Sequence, residues 1–141
     1  MVDPAHKCKT FDPITYTFDR NKRDEFLIAI GESSPAYLQE GAPLPPTIIT
    51  VVSFWGGEGL ESALQQIGVD IWSVLHAEQE YEFHEPFYVG DTITGRTHVA
   101  DIYERKGRSG ELTFVIFETA FANQHGSPVV TGRSTIVVRG G

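Results

Sequence analysis

The sequence predicts an α+β fold in which an antiparallel sheet of about five strands wraps around a central, apolar helix. Two observations predict this arrangement. Residues 45–55, with the sequence PPTIITVVSFW, form the most apolar run of the chain, and a pair of glycines follows them. Beyond Gly68 the hydrophobic pattern takes a period of two, which is typical of antiparallel strands. We therefore expect the helices in the first half of the chain and most of the sheet in the second.

Length and charge limit the classes of function. The 141 residues, 40% of them hydrophobic, suffice for one sizeable core, and we divide the chain into an irregular arm over 1–13 and a single domain over 14–141. A formal charge of −8 argues against nucleic-acid partners. No run reaches the roughly 20 apolar residues of a membrane span, and the start has no signal-peptide core. We expect a cytoplasmic protein with no membrane partner.

The first elements are predicted from period and capping residues. Residues 14–18 alternate apolar and polar side chains, which indicates a strand. A helix follows, with Asp19 or Asn21 as its N-cap, an apolar side formed by Phe26, Leu27 and Ile30, and Gly31 at its end. The next segment is dense in Gly, Ser and Pro, which predicts a loop with one helical turn near residues 34–38.

The apolar stretch itself carries two opposed signals. Residues 47–52 are all β-branched, which favours a strand. Pro46 suits the first turn of a helix, and glycines directly after the last apolar residue end one. We therefore predict a short helix, buried on all sides because it has no polar face. A second, amphipathic helix is predicted within 58–68.

Four strands are predicted after the helices. In the first, Ala77, Gln79, Tyr81 and Phe83 share one face, while His76 shares the other with the glutamates and His84. The third is apolar on both faces, which indicates a position in the middle of the sheet. A hairpin turn is predicted at 106–110. The four predicted strands span 75–84, 92–104, 112–121 and 129–139.

Three segments carry a resemblance to a known family. They are AIGESSPAY at 29–37, APLPPT at 42–47 and PFYVGDTI at 86–93. They resemble the hydratase motif, the start of the central helix and the turn into a long strand of MaoC-like (R)-specific hydratases and dehydratases, which have the hot-dog fold. The resemblance covers 14–139 and is greatest to the N-terminal-domain branch, which includes the non-catalytic subunits of mycobacterial-type 3-hydroxyacyl-carrier-protein dehydratases. It implies a hot-dog domain over 14–141.

The motif departs from the pattern of the catalytic members. Their motif reads Gly-Asp-x-Asn-Pro-x-His, and its aspartate and histidine move a proton and a water between the α and β carbons of the acyl group. Here Glu32, Ser34 and Tyr37 stand at those positions. A tyrosine, with a pKa of about 10, is a poor acid–base substitute for histidine near neutral pH. The resemblance therefore implies a non-catalytic subunit that shapes the acyl tunnel, while a partner supplies the Asp–His pair.

The predicted site binds substrate and has no catalytic residue. It consists of Glu32, Tyr37, Pro46, Thr47 and Ile48, with backbone N–H groups of the first helical turn holding the thioester carbonyl. The ligand implied is an acyl-CoA or acyl-carrier-protein thioester. The partner implied is a catalytic MaoC-like homologue, in a heterodimer, or a second copy, in a homodimer. No cofactor is expected.

Other functions stay open at this point. A hot-dog thioesterase would use a carboxylate such as Glu58, Glu61 or Glu32 to activate water, and a non-enzymatic acyl-thioester binding module would need none. Three basic residues at a hairpin tip, Arg105, Lys106 and Arg108, are candidates for contacting coenzyme A phosphates or an acidic carrier.

A metal site is not expected. His76 and His84 lie on one strand face but about 26 Å apart at ~3.3 Å per residue, too far to share one ion. Cys8 is the only cysteine, so a cysteine-based cluster and an internal disulfide are excluded.

Overall fold

The computed structural model describes residues 2–108 and 110–139, so Ser109 of the predicted hairpin turn and the last two residues of the predicted domain lie outside the described residues. Five antiparallel strands form one sheet in the order β1-β3-β4-β5-β2. The strands are β1 (Ile14–Thr17), β2 (Val74–Phe83), β3 (Thr92–Gly107), β4 (Gly110–Ala122) and β5 (Pro128–Arg139). The sheet is the predicted one, with β4 in its middle.

Three helices lie in the first half of the chain, as predicted. They are α1 (Arg20–Ile30), α2 (Thr50–Trp55) and α3 (Gly59–Gln66), and short 3₁₀ turns occur at Pro4–His6, Pro35–Leu38, Pro46–Ile49 and Ile71–Ser73.

Helix α1 has the predicted termini. Of the two candidate caps, Asp19 is the one used, because its side chain accepts a hydrogen bond of 2.8 Å from the N–H of Lys22. Gly31 ends the helix in the left-handed region, at φ 71°. Leu27 is buried, but Ile30 is 49% exposed, so the predicted apolar side is only partly covered.

The apolar stretch forms the core on one half of the sheet, but not in the way predicted. The 3₁₀ turn Pro46–Ile49 continues directly into α2, and Ile48, Ile49 and Val52 are fully buried against the sheet. The prediction that this helix is buried on all sides is wrong, because Phe54 and Trp55 are 70% and 71% exposed. The sheet covers the inner side of this helix and leaves the end of its outer side open.

A second apolar cluster fills the other half of the sheet. Leu64 of α3 is fully buried there against Val99, Val115 and Ile136. Val2, from the predicted irregular arm, belongs to the same cluster and is only 2% exposed. Val2 therefore anchors the arm in the core, although the residues at 3–5 are exposed.

The arm also lies along the outer edge of β3. The N–H of Val99 donates to the carbonyl of Lys9 at 2.8 Å, and the N–H of Phe11 donates to the carbonyl of Thr97 at 3.0 Å. Nearby, the Lys7 ammonium lies 2.8 Å from the Asp101 carboxylate, and this hydrogen bond lowers the pKa of Asp101. The arm continues the pairing that β1 begins at residues 92–95 of β3.

The end of α2 touches the backbone of β1. The N–H of Thr15 donates to the carbonyl of Gly56 at 2.8 Å. A Cβ on Gly56 would stand 2.5 Å from the carbonyl oxygen of Val52 and 3.0 Å from the backbone nitrogen of Thr15. Only glycine allows this approach, because both obstacles are backbone atoms.

The edge strand β2 contains a β-bulge. His76 pairs with Ile136 and Glu78 with Thr135, so Ala77 is an extra residue. The predicted alternation is therefore wrong at this point. The bulge moves His76 to the inner face of the sheet, the face of Gln79 and Tyr81, because one added residue reverses the order of the faces.

Candidate functional site

Two hollows lie between the helical segment 46–55 and the edge strand β2, one beside the first turn of the helical segment and one beside α2. We refer to the two hollows together as the crevice. We call the first the groove and the second the cavity. Both lie on the inner face of the sheet, on the side where β2 is the last strand.

The groove brings the motif loop against the end of β2 and has a volume of 360 Å³. The N–H of Leu44 donates to the carbonyl of Phe87 at 2.8 Å, which ties the segment before the helix to the segment after β2. Its walls are mostly proline and aromatic side chains, with Tyr37 among them. The lining residues are Tyr37, Pro43, Leu44, Pro46, Phe83, His84, Glu85, Pro86 and Phe87.

The structure brings two of the five predicted site residues together in the groove, Tyr37 and Pro46. Glu32 is exposed and does not line the groove, and its carboxylate accepts a hydrogen bond of 2.7 Å from the N–H of Ser34. Thr47 is exposed too, and its carbonyl accepts a bond from the Thr50 hydroxyl at 2.9 Å.

Ile48 does not offer the free N–H that the sequence suggested. Its N–H donates to the carbonyl of Pro45 at 3.1 Å, and its side chain is fully buried. Pro46 has no N–H, so within the predicted turn only that of Thr47 is left as a donor for a carbonyl.

Seven of the nine groove residues were not among the predicted site residues, and two of the seven, His84 and Glu85, carry titratable side chains. The His84 ring nitrogen Nε2 lies 2.8 Å from the Thr131 hydroxyl, which holds the imidazole against the last strand. The available signal was their position directly before Pro86, where the segment that resembles the family's turn begins. This position shows nothing of their place in the same groove as Tyr37, which is 47 residues earlier in the chain in the case of His84.

The cavity is larger, with a volume of 430 Å³, and its lining mixes apolar and polar side chains. The bulge at Ala77 places His76 there beside Gln79 and Tyr81. Burial raises the pKa of the Tyr81 phenol, so the group stays neutral and protonated near pH 7. The lining residues are Thr50, Ser53, Phe54, Leu60, His76, Gln79, Tyr81, Thr119, Phe121, Gly132 and Ser134.

Of the carboxylates considered for a thioesterase, Glu58 lies next to the cavity, because the hollow that it lines shares Ser53, Leu60 and Thr119 with the cavity. Glu58 lines a third hollow, of 280 Å³, at the junction of α2 and α3, and its carboxylate accepts a bond of 2.7 Å from the Ser62 hydroxyl. Glu61 is exposed on α3 and lines neither this hollow nor the crevice.

Arg105, Lys106 and Arg108 of the hairpin tip are exposed, and their contact with coenzyme A phosphates or an acidic carrier stays a prediction. The Arg105 guanidinium lies over the rings of Tyr103 and Phe114, at 5.3 and 5.7 Å from their centres, so it covers its own strands. Residues 2–108 and 110–139 contain no group of three His, Cys, Asp or Glu side chains arranged to hold a metal ion.

No helix within these ranges is long and apolar enough to cross a membrane.

Comparison with known families decides where the chain belongs. The family described as "FAS1-like, dehydratase domain region" matches residues 5–132. The chain belongs to this family. A UPF0336 protein of Saccharopolyspora erythraea is 31% identical to this FAS1-like dehydratase-domain chain over 134 residues, 89% of the chain and 83% of the relative. Another, of Thermobifida fusca, is 29% identical over 137 residues, 91% of the chain and 87% of the relative.

Solved structures confirm the hot-dog fold of this FAS1-like dehydratase-domain chain and its predicted likeness to MaoC-like enzymes. The HadBC (3R-hydroxyacyl-ACP dehydratase) complex of Mycobacterium tuberculosis matches with a TM-score of 0.77 and 20% identity, covering 94% of the chain and 96% of the solved one. The ChsH1–ChsH2 complex of the same organism matches at 0.74 and 16% identity, covering 94% and 87%. A MaoC-like dehydratase of Rhodospirillum rubrum matches at 0.64 and 18% identity, covering 94% and 91%.

Proposed function

We propose that this chain is the substrate-binding, non-catalytic subunit of an (R)-specific hydratase/dehydratase acting on acyl-CoA or acyl-carrier-protein thioesters. The observation that carries the proposal is a formed groove beside a motif loop that has no acid–base pair. Glu32 is engaged by the N–H of Ser34 outside the groove, and Tyr37 forms part of the groove wall. Such a loop shapes a binding site but is poorly equipped to move a proton near neutral pH.

The crevice suits an extended acyl thioester. The proline and aromatic walls of the groove offer apolar contact to a flat thioester group, and the Tyr37 side chain in the same wall carries a hydroxyl that can hydrogen-bond to it. The acyl chain then runs along the helical segment into the cavity, where Phe54, Leu60 and Phe121 contribute apolar surface. Residues of the edge strand β2 line both hollows, so a second subunit that joins this edge would complete the tunnel.

Two comparisons support a partner of the same fold. HadBC and ChsH1–ChsH2 are both complexes, and both match the chain over 94% of its length. In our proposal the second subunit carries the Gly-Asp-x-Asn-Pro-x-His motif and supplies the acid–base pair.

The first test mixes the chain with catalytic homologues that carry this motif. Hydration of crotonyl-CoA by the right pair should exceed the sum of the separate rates about 10²-fold, because only the complete tunnel places the substrate correctly against the partner's acid–base pair. The variant Y37R, which places a charge in the groove, should abolish the gain. Leu38→Arg is the matched control, because Leu38 is the next residue, is 56% exposed and does not line the groove. Additive rates with every such homologue would refute the proposal.

A second test addresses the path of the acyl chain. Ser53 of α2 lines the cavity, so the variant S53F fills it with a ring. Excluding four methylenes, at ~0.8 kcal/mol each, should weaken the binding of an octanoyl thioester about 10²-fold while leaving crotonyl-CoA nearly unaffected. Titration of both ligands by calorimetry measures this difference. Thr135→Phe adds the same ring to the outer face of the sheet and should change neither affinity. Equal losses for both ligands would place the acyl chain elsewhere.

A further inference from the structure

We infer that the free edge of β2 selects a partner whose facing strand is basic and disfavours pairing with a second copy of this chain. The inference rests on the proposed function, because it describes the chemistry of the partner that the function requires. It is carried by the exposure of the edge, the apolar surface beside it and the order of charges across the outer face of the sheet.

The strand β2 presents a long free edge. It has ten residues and pairs on one side only, with β5. Among the described residues no strand pairs with its other side. The opposite edge of the sheet differs, since β3 is paired with β1 at 92–95 and with the arm at 97–99. A long free edge is a template for another strand.

Apolar side chains surround this edge and favour a protein partner. Trp72, directly before β2, is 92% exposed, and Leu75 and Phe83 are 48% and 46% exposed along the strand. Phe54 of α2, which lines the cavity next to β2, is 70% exposed. Exposed groups of large apolar residues mark interaction sites, because covering them removes apolar surface from water.

The outer face of the same strand is acidic. Glu78, Glu80 and Glu82 pair with Thr135, Arg133 and Thr131 of β5, and all three carboxylates lie on the outer face, away from the crevice. They are directly at the edge that a partner strand would join.

Charges alternate along one row across this face. Register places Glu118, Arg133 and Glu80 side by side on β4, β5 and β2. The Arg133 guanidinium lies 3.7 Å from the Glu118 carboxylate, and Glu80 is the cross-strand neighbour of Arg133 on its other side. A Lys or Arg on the partner strand opposite Glu80 would extend the alternation and give that carboxylate a cation of its own.

A second copy would bring carboxylates against carboxylates. In a two-fold antiparallel pair centred on residue 80, Glu80 faces itself and Glu78 faces Glu82, with Cβ atoms about 4.5–5.5 Å apart. Like charges directly opposite destabilise a sheet, and each chain adds a formal charge of −8 to the repulsion. The same edge facing a basic strand converts each of these contacts into an attraction.

The test uses this chain alone, in two forms. Wild type is mixed with the variant E78K/E80K/E82K, and association is measured by sedimentation at low salt. The mixed pair should have a dissociation constant at least tenfold below that of either form alone. Raising the salt should weaken the mixed pair and strengthen wild-type self-association, because salt screens both interactions. The control E40K/E61K/E104K makes the same change of charge at exposed glutamates away from the edge and should not pair with wild type.

Two results would overturn the inference: a tight wild-type dimer that does not respond to salt, or equal pairing by the control variant. Circular dichroism checks that the lysine variant folds. If it does not, E78Q/E80Q/E82Q should self-associate more tightly than wild type, and unchanged self-association would count against the inference. Failure here is separable from failure of the proposed function, because crotonyl-CoA hydration with a catalytic homologue is measured independently of this edge chemistry.

Discussion

The triple substitution E32D/S34N/Y37H is expected to give this chain the hydratase activity that its motif loop lacks. It rebuilds the Gly-Asp-x-Asn-Pro-x-His pattern beside a groove that is already formed. The gain in crotonyl-CoA hydration should be at least about 10²-fold over wild type, the usual contribution of one acid–base group. The assay includes a homologue whose own Asp–His pair is inactivated, so that the tunnel is complete and only the rebuilt pair can act.

Most of this gain should come from position 37. Tyr37 lines the groove, so a histidine there meets the substrate directly, whereas the Glu32 carboxylate lies outside and is bonded to Ser34. Y37H alone should therefore exceed E32D alone. The matched control E32D/S34N/Y37N has the same loop without an imidazole and should remain inactive. An inactive triple variant that still binds acyl-CoA would show that the groove does not place the β carbon near this loop.

Gly56→Ala is expected to lower the free energy of unfolding. The loss should be greater than for one methyl group added at any surface position of residues 46–55. The new Cβ meets the backbone of Val52 and Thr15, and the hydrogen bond from Thr15 to the Gly56 carbonyl is lost as the elements separate. Overpacking and one lost bond together amount to about 3 kcal/mol. Thermal unfolding should shift down by about 10 °C for a domain of this size.

Gly68→Ala is the control for this result. Gly68 has φ 73° with nothing within 4 Å of an added Cβ, so alanine there meets only the strain of the left-handed conformation, about 1 kcal/mol. A loss of stability in G56A no larger than in G68A would mean that α2 and β1 are not held as closely as their backbone contact indicates.

Local patterns predicted most of the fold. The change in the period of the hydrophobic pattern after Gly68 predicts the strands. The apolar side chains on both faces of 112–121 predict the central position of β4. Asp19 and Gly31 marked the ends of α1, because capping depends on residues within one turn. The resemblance of the motif segments predicts one site from Tyr37 and the start of the central helix, and of these residues Tyr37 and Pro46 line the groove while Thr47 and Ile48 do not.

Features that depend on distant residues were not predictable in this way. The bulge at Ala77 is fixed by pairing with β5, some sixty residues later, and leaves no mark in the local pattern. Likewise, a helix without a polar face is predicted to be fully buried. Phe54 and Trp55 are exposed because the sheet covers only one side of the helix. Val2 was assigned to a loose arm because its neighbours in the core, such as Val99 and Val115, are far away in sequence.

The N-terminal arm bears on how many strands the sheet can add. It pairs with β3 at 97–99, next to β1, so the edge of β3 is covered from 92 to 99, whereas the whole outer edge of β2 is free among the described residues. A sheet with two long free edges can add strands at both, as in fibres. We therefore expect the arm to favour the addition of a single partner at β2 over open-ended assembly.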